Sequence, residues 1–326
     1  MPNGKVFCTS GIPDKGLELL RSRGLDVVVG NQSGPLAREQ LLGGIADADG
    51  VIGLLSDRID SEFFAGAPKL RGYANYAVGF DNIDVVEATR RSIPVSNTPD
   101  VLTIATAELA WALLFAVARH VVPSDREMRS GTWPGWQPLQ YLGEQVSGKV
   151  LGIVGAGRIG EAMACMSAGF GMKVVYTTGS GRPNERLERK LDARQVSFAE
   201  LLEVSDFISI HAPLNDATKH LFDEEAFKLM KSSAILVNTG RGPVIDEEAL
   251  VRALQAGDIR GAGLDVFERE PAMAKGLAQL DNVVVTTHIG SATSKARNDM
   301  SVLAAENVIA MIEGRKPPTC LNPEVL

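Results

Sequence analysis

Apolar residues along this chain gather in short runs separated by stretches of helical spacing. Runs at 5–10, 25–29, 50–55, 70–75 and 93–96 are each the length of a buried strand. Between them, 13–23, 38–46, 61–64 and 84–91 carry helical patterns. Leu17, Leu19 and Leu20 supply the apolar positions of the first, and Gly24 stands where that helix would stop. Strands alternating with helices predict a parallel α/β sheet. Asn97-Thr98-Pro99-Asp100 breaks the rhythm and reads as a hinge. A long apolar helix is predicted over 104–119. Pro123 sits awkwardly in a continuing helix, so Ser124 is read as the cap of another, reaching 130.

A second alternation begins at Val150. Strands are predicted at 150–154, 173–177, 207–211, 234–238, 261–265 and 283–286, with helices at 158–170, 198–203, 224–230 and 246–256. The last helix, 293–313, is read as crossing back to the first half. The division expected is therefore 1–98 completed by 293–326, and 99–292 with an arm at about 104–145. Residues 131–138 of that arm hold two of the three tryptophans and two prolines, a composition expected at a contact with another subunit.

The first strand of the second half ends at Gly155-Ala156-Gly157-Arg158-Ile159-Gly160. This G-x-G-x-x-G pattern, between a strand and a helix, points to a dinucleotide. Gly155 permits the turn, Gly157 lets phosphates approach the backbone, and Gly160 lets helix and strand pack closely.

Length and charge narrow the class. The chain has 326 residues, enough for two domains. A net charge of −7 without a long basic run removes nucleic acid and an anionic membrane from the expected partners. The most apolar stretch, 109–118, is too short to span a bilayer, and the first residues lack a signal-peptide design. Cys8, Cys165 and Cys320 are too scattered for a disulfide framework or a metal cluster. They fit a reducing cytoplasm.

Polar residues then recur where the strands of the second half end: His211-Ala212-Pro213, Asn238-Thr239-Gly240-Arg241-Gly242, Asp265-Val266-Phe267-Glu268 and Thr287-His288-Ile289-Gly290. Ligands of open α/β sheets lie at the carboxyl ends of strands, so these groups should converge on what the glycines hold. Reducing a 2-oxo acid needs a cation for the carboxylate, and Arg241 offers a planar charged fork. It also needs a proton donor, for which His288 is suited. Glu270 is the carboxylate expected to favour the protonated imidazole. His211 is expected near the cofactor, with a structural role as the alternative. His120 and His220 are given no catalytic role. No acid stands at 177–182; Thr177, Thr178 and Arg182 suit a 2′-phosphate, so NADP(H) is expected in preference to NAD(H).

With these blocks the chain resembles the D-isomer-specific 2-hydroxyacid dehydrogenases over nearly its whole length. The resemblance rests on 151–160, Asn238 to Gly242, Gly263 to Pro271 and His288 to Ser291. It implies two doubly wound α/β domains, a flavodoxin-like substrate domain and a Rossmann cofactor domain, with a cleft between them. It implies Arg241, Glu270 and His288 as the catalytic set, without a metal. Val78 and Gly79, in Asn75-Tyr76-Ala77-Val78-Gly79, would meet the substrate through their N–H groups, and Leu55 would line its apolar side. The implied cofactor set is Thr106, Gly155, Gly157, Arg158, Ile159, Gly160, Thr177, Thr178, Arg182, His211, Ala212, Pro213, Thr218, Thr239, Gly240, Arg241, Asp265, His288 and Gly290. Trp133-Pro134-Gly135-Trp136-Gln137-Pro138 is similar to the glyoxylate/hydroxypyruvate reductase subgroup. There the residue matching Trp136 reaches a neighbouring subunit's pocket, and homodimers are usual. Phosphite dehydrogenases share some stretches but carry a lysine where this chain has Val78. The C-terminal-binding-protein corepressors also resemble the family and keep its triad, which leaves a nucleotide-sensing protein as the alternative class.

Overall fold

The computed structural model describes residues 4–32 and 34–326. It divides into two compact units, Met1–Leu102 with Ser291–Leu326, and Thr103–Gly290.

The first unit holds five parallel strands: β1 (Lys5–Cys8), β2 (Asp26–Val29), β3 (Gly50–Gly53), β4 (Gly72–Asn75) and β5 (Val95–Ser96). Their order is β2-β1-β3-β4-β5, the flavodoxin-like winding. Phe7, Val51, Phe63, Phe64 and Tyr73 belong to one core, with Phe63 edge-on to both Phe64 and Tyr73. The helix Ser294–Ile312 lies against β3 and β4, because Gly50 and Gly72 give it room. A Cβ at Gly50 would sit 2.6 Å from Val308, and one at Gly72 would strike Met311. That helix also packs on the helix Asp14–Ser22, where the Gly16 N–H donates to Ser301 Oγ at 3.2 Å. The chain then returns to β5. Leu321 N–H donates to Val95 O at 2.8 Å, and Asn322 Oδ1 accepts from Val95 N–H at 2.9 Å. This return occupies backbone groups that an edge strand would otherwise leave unpaired.

The second unit holds seven parallel strands: β6 (Val150–Val154), β7 (Lys173–Thr177), β8 (Arg194–Gln195), β9 (Phe207–Ile210), β10 (Ile235–Asn238), β11 (Gly261–Leu264) and β12 (Val283–Val285). Their order is β12-β11-β10-β9-β6-β7-β8. This is the Rossmann winding with an added edge strand, and the order reverses at β6. Leu151 and Ile153 enter one core with the helices Thr103–Ala118 and Arg158–Met166. Val150 and Val154 face the other, with Phe198–Val204 and Glu247–Ala256. Burial on both faces explains why the strands read as continuous apolar runs.

Several elements differ from the sequence expectation. The second arm helix is Val121–Ser130, so Ser124 is not its cap. Pro123 falls in its first turn, where an N–H would have no partner within the helix. His120, at φ 52°, makes the break, and the two helix axes differ by 63°. The helix expected over 158–170 tightens into a 3₁₀ turn, Ser167–Phe170. The strand expected over 50–55 stops at Gly53, and Leu55 lies in a turn closed by Asp57 N–H on Leu54 O at 3.1 Å. The helix Glu185–Leu191 and β8 carry no apolar run or stripe that marks them in the sequence. Only Leu187 is buried in that helix, and β8 is a polar pair at the sheet edge. No single helix among the described residues is long and apolar enough to cross a membrane.

The contact at Gly16 leaves no space for a side chain, since a Cβ there would overlap the Ser301 carbonyl. Gly16→Val is therefore expected to destabilise the protein by about 1–3 kcal/mol. Chemical denaturation of the variant beside the wild type measures it.

Candidate active site

Because the strands of the second unit are parallel, the loops after β6, β7, β9, β10, β11 and β12 share one edge of the sheet. At that edge Gly155 takes φ 93° and presses on the end of β9; a Cβ there would stand 2.7 Å from Ala212 N. A Cβ at Gly160 would strike the Gly155 carbonyl, whereas one at Gly157 would meet only open space. Gly157 begins the helix Arg158–Met166, and no side chain caps it. The helix start, with Ile159 in its first turn, thus suits a pyrophosphate. Gly155 and Ala156 donate to Thr177 O at 3.2 and 3.1 Å, binding this turn to the end of β7.

The loop after β7 carries no carboxylate over 177–182, and Ser180 and Arg182 are exposed. Its hydroxyl groups are partly committed. Thr178 Oγ1 donates to Arg182 O at 2.9 Å and accepts from Gln195 Nε2 at 3.3 Å. Gln195 also donates to Gly181 O at 3.1 Å. Asn184 Nδ2 donates to Ala156 O at 3.1 Å, while its Oδ1 caps the helix Glu185–Leu191. Neither Gln195 nor Asn184 stood out in the sequence. A cap signal existed for Asn184, which precedes a helical charge pattern; nothing marked Gln195.

His211 follows β9 and is buried. Its Nε2 shares a hydrogen bond of 2.9 Å with Ser209 Oγ, and its Nδ1 has no partner among the described residues. Burial lowers its pKa to about 3, so the ring is neutral. Ala212 and Pro213 continue the chain, and Thr218 Oγ1 donates to Pro213 O at 2.6 Å, which folds that loop on itself.

After β10, Asn238 organises the next loop. Its Nδ2 donates to Arg241 O at 2.9 Å, and its Oδ1 accepts from Gly240 N–H at 3.0 Å. Thr239 is buried beside them, its hydroxyl without a partner among the described residues. A Cβ at Gly242 would fall on the Phe267 carbonyl, so the Arg241 loop and the loop after β11 touch backbone to backbone. The β11 loop is docked further by Glu268. Its Oε1 accepts from His220 Nε2 at 3.0 Å and its Oε2 from Glu247 N–H at 3.3 Å.

The loop after β12 holds His288 at φ 55°. Buried Asp265 shapes it: Oδ1 accepts from Ile289 N–H at 2.8 Å and Thr286 Oγ1 at 2.6 Å, and Oδ2 from Gly290 N–H at 2.7 Å. Thr106, on the helix Thr103–Ala118, lies beside Gly290. His288 Nδ1 meets Glu270 Oε2 at 2.9 Å. An ionised carboxylate only accepts, so Nδ1 carries the proton and Nε2 is left for other chemistry. Glu270 Oε1 takes the Phe267 N–H at 3.1 Å. Burial pushes the Glu270 carboxyl up. The hydrogen bond and charge of His288, the Phe267 N–H and the charge of Arg241 outweigh it and hold the group below its ordinary range.

In the first unit, Leu55 and the loop of Val78 and Gly79 are partly exposed at the carboxyl ends of β3 and β4. Trp136, in the irregular arm of the second unit, is 81% exposed, with Leu139 at 80%. Among the described residues no group of three or more His, Cys, Asp or Glu is placed to hold a metal ion.

A family model described as the D-isomer specific 2-hydroxyacid dehydrogenase, NAD binding domain, matches residues 111–290. The chain belongs to the D-isomer-specific 2-hydroxyacid dehydrogenases. It is 50% identical to a glyoxylate reductase of Pyrococcus horikoshii, over 99% of this chain and 97% of that one. Among solved structures it resembles the TT0316 protein of Thermus thermophilus, with a TM-score of 0.91 and 43% identity, covering 97% and 99% of the two chains. It also resembles an NADPH-dependent glyoxylate/hydroxypyruvate reductase of Sinorhizobium meliloti, solved with NADP and malonate. That match has a TM-score of 0.85 and 30% identity, over 98% of each chain.

In this dehydrogenase the backbone contact at Gly242 sets the distance between the Arg241 and Glu270 loops. Gly242→Ala is expected to displace them and lower kcat/KM by about 10²-fold, the scale of a 1 Å misplacement. Steady-state kinetics on a variant of unchanged circular dichroism would check this.

Proposed function

We propose that this dehydrogenase reduces small 2-oxo acids, glyoxylate and hydroxypyruvate, to the 2-hydroxy acids, reversibly, and prefers NADPH to NADH. The observation that carries the reading is the pair of His288 and Glu270, with the charge of Arg241 acting on the same carboxylate. When bound, the reduced nicotinamide supplies a hydride to the carbonyl carbon. His288 delivers a proton from Nε2 to the carbonyl oxygen, while its Nδ1–H stays on Glu270 and fixes the ring. Arg241 holds the substrate carboxylate as a planar fork and polarises the adjacent carbonyl. In the first unit, Val78 and Gly79 offer N–H groups suited to a carboxylate, and Leu55 offers an apolar side chain. The reading gives proton donation to His288, whose Nδ1 is paired with Glu270, and not to the buried His211.

The glycine turn and the start of the helix Arg158–Met166 suit the pyrophosphate. Thr106, Thr218, Thr239, Gly240 and Gly290 complete the cofactor surface. Asp265 serves it by shaping the His288 loop. The NADPH preference is supported by the exposed Ser180 and Arg182 and by the absence of a carboxylate at 177–182. In the reading, the first unit carries the substrate and the second the cofactor. The exposed Trp136 and Leu139 are covered by a second copy, in a homodimer. The three free cysteines fit a cytoplasmic setting.

Oxidation of NADPH and NADH is followed with glyoxylate, hydroxypyruvate and the bulkier 2-oxoisocaproate. The reading expects turnover of the two small acids, with kcat/KM about tenfold or more higher for NADPH, the scale of a charge-assisted contact to phosphate. Equal or better use of NADH would remove the cofactor preference. Turnover of the bulky acid alone would overturn the substrate, and NADPH binding without turnover would favour a nucleotide sensor.

The Glu270 carboxylate should also govern the pH profile. It is held ionised by a lowered pKa, and it accepts the Nδ1–H of His288. Glu270→Gln removes the titrating group, so the acid limb of kcat/KM for reduction, where Glu270 takes up a proton below the ordinary carboxylate range, should vanish in the variant. An acid limb that Glu270→Gln retains in full, with kcat reduced, would assign Glu270 a purely steric part.

A further inference from the structure

The loop after β7 is closed into a frame by a residue of the next strand. In β8, Gln195 lies opposite Tyr176 of β7, and Val196 N–H donates to Tyr176 O at 3.0 Å. The Gln195 side chain reaches the loop itself. Its Nε2 donates to Thr178 Oγ1 at 3.3 Å and to Gly181 O at 3.1 Å. An amide nitrogen only donates, so both of its protons are used and the Thr178 hydroxyl accepts. The single proton of that hydroxyl goes to Arg182 O at 2.9 Å. Two further bonds complete the frame: Gly181 N–H donates to Thr178 O at 3.2 Å, and Arg182 N–H to Ser180 Oγ at 3.2 Å. Turning the Gln195 amide over would set its oxygen against the Gly181 carbonyl, so chemistry fixes its orientation.

The frame sorts the polar groups of the loop. Thr178 has no hydroxyl proton left to offer a phosphate. Ser180 Oγ accepts from the Arg182 N–H and keeps its own proton, and both Ser180 and Arg182 are exposed. The far end of the loop is held as well. Asn184 Nδ2 donates to Ala156 O at 3.1 Å, which ties it to the glycine turn suited to a pyrophosphate. Tyr176 Oη accepts from Asn184 N–H at 2.8 Å and donates to Glu188 Oε1 at 2.7 Å, which ties it to β7. A guanidinium whose backbone is already placed loses less freedom on meeting a phosphate, and so binds it more tightly.

We infer that Gln195 is a specificity-determining positioning residue: its amide closes the 178–182 loop so that Ser180 and Arg182, and not Thr178, present their side chains to the 2′-phosphate of NADPH. The inference rests on the reading that this loop selects NADPH. Gln195 touches neither cofactor nor substrate in this role. NADH lacks the phosphate and is indifferent to the frame.

The test uses the full chain as Gln195→Met, an uncharged side chain of similar length that donates nothing. Dissociation constants of NADPH and NADH are read by fluorescence. The constant for NADPH is expected to rise about fivefold, the worth of one neutral hydrogen bond, and that for NADH to change by less than about twofold. Inhibition by 2′,5′-ADP should weaken by the same factor, and inhibition by 5′-AMP should not. With saturating NADPH, kcat should change by less than about threefold. An equal loss for both cofactors would overturn the proposal, because it marks a role in stability only. On an Arg182→Ala background Gln195→Met should cost little more, since the two residues act as one unit; full additivity would also overturn it. Wild-type protein that binds NADPH no more tightly than NADH would sink the cofactor reading itself. Wild-type preference that Gln195→Met retains in full would sink the frame alone.

Discussion

The loops at the carboxyl edge of the seven-stranded sheet depend on how closely their backbones approach. Gly155 presses on the start of the loop after β9, Gly160 on the Gly155 carbonyl, and Gly242 on the Phe267 carbonyl. A side chain at any of these points would separate segments whose contact sets the shape of the edge. The parallel winding makes such crowding unavoidable. Every strand delivers its loop to the same edge, and order reverses at β6, where the glycine turn stands.

Crowded backbone must also be satisfied. Many polar side chains at these edges serve the loops, and burial alone would make them costly. Asp265 accepts from the Thr286 hydroxyl and two N–H groups, and Asn238 closes the Arg241 loop on itself. In the first unit Asp57 has the same task. It accepts from Thr9 Oγ1 at 2.6 Å and Leu54 N–H at 2.7 Å, while burial pushes its carboxyl up against both bonds. Asn82 donates to Leu54 O and Asp57 O, tying that turn to the loop that carries Val78 and Gly79.

Two histidines show how environment divides one residue type. Both follow strands of the same sheet. His211 is enclosed and, among the described residues, has only a neutral hydroxyl as partner, so burial keeps it uncharged. His288 remains partly open and meets a carboxylate held ionised by its neighbours. The difference lies in the loops around each ring, which the strands place but do not specify.

The sequence by itself determined the sheets. Strands buried on both faces must be apolar throughout, so they appear as runs, and the G-x-G-x-x-G spacing marks where one meets a helix. It also marked Arg241, Glu270 and His288 as polar residues beyond strand ends. It did not mark β8, whose two polar residues lie at a sheet edge, or the helix beginning at Val121, where Pro123 is harmless only because it falls in a first turn. Tertiary structure alone decided the contacts. Glu270 and His288 stand 18 residues apart on loops after different strands, and their 2.9 Å bond exists because β11 and β12 are neighbours. Asn97 reaches the Val78 carbonyl because β4 and β5 pair, and Thr319 reaches Asn97 from 222 residues away. Periodicity encodes which face of an element is buried. It carries no record of which distant backbone group a polar side chain will meet.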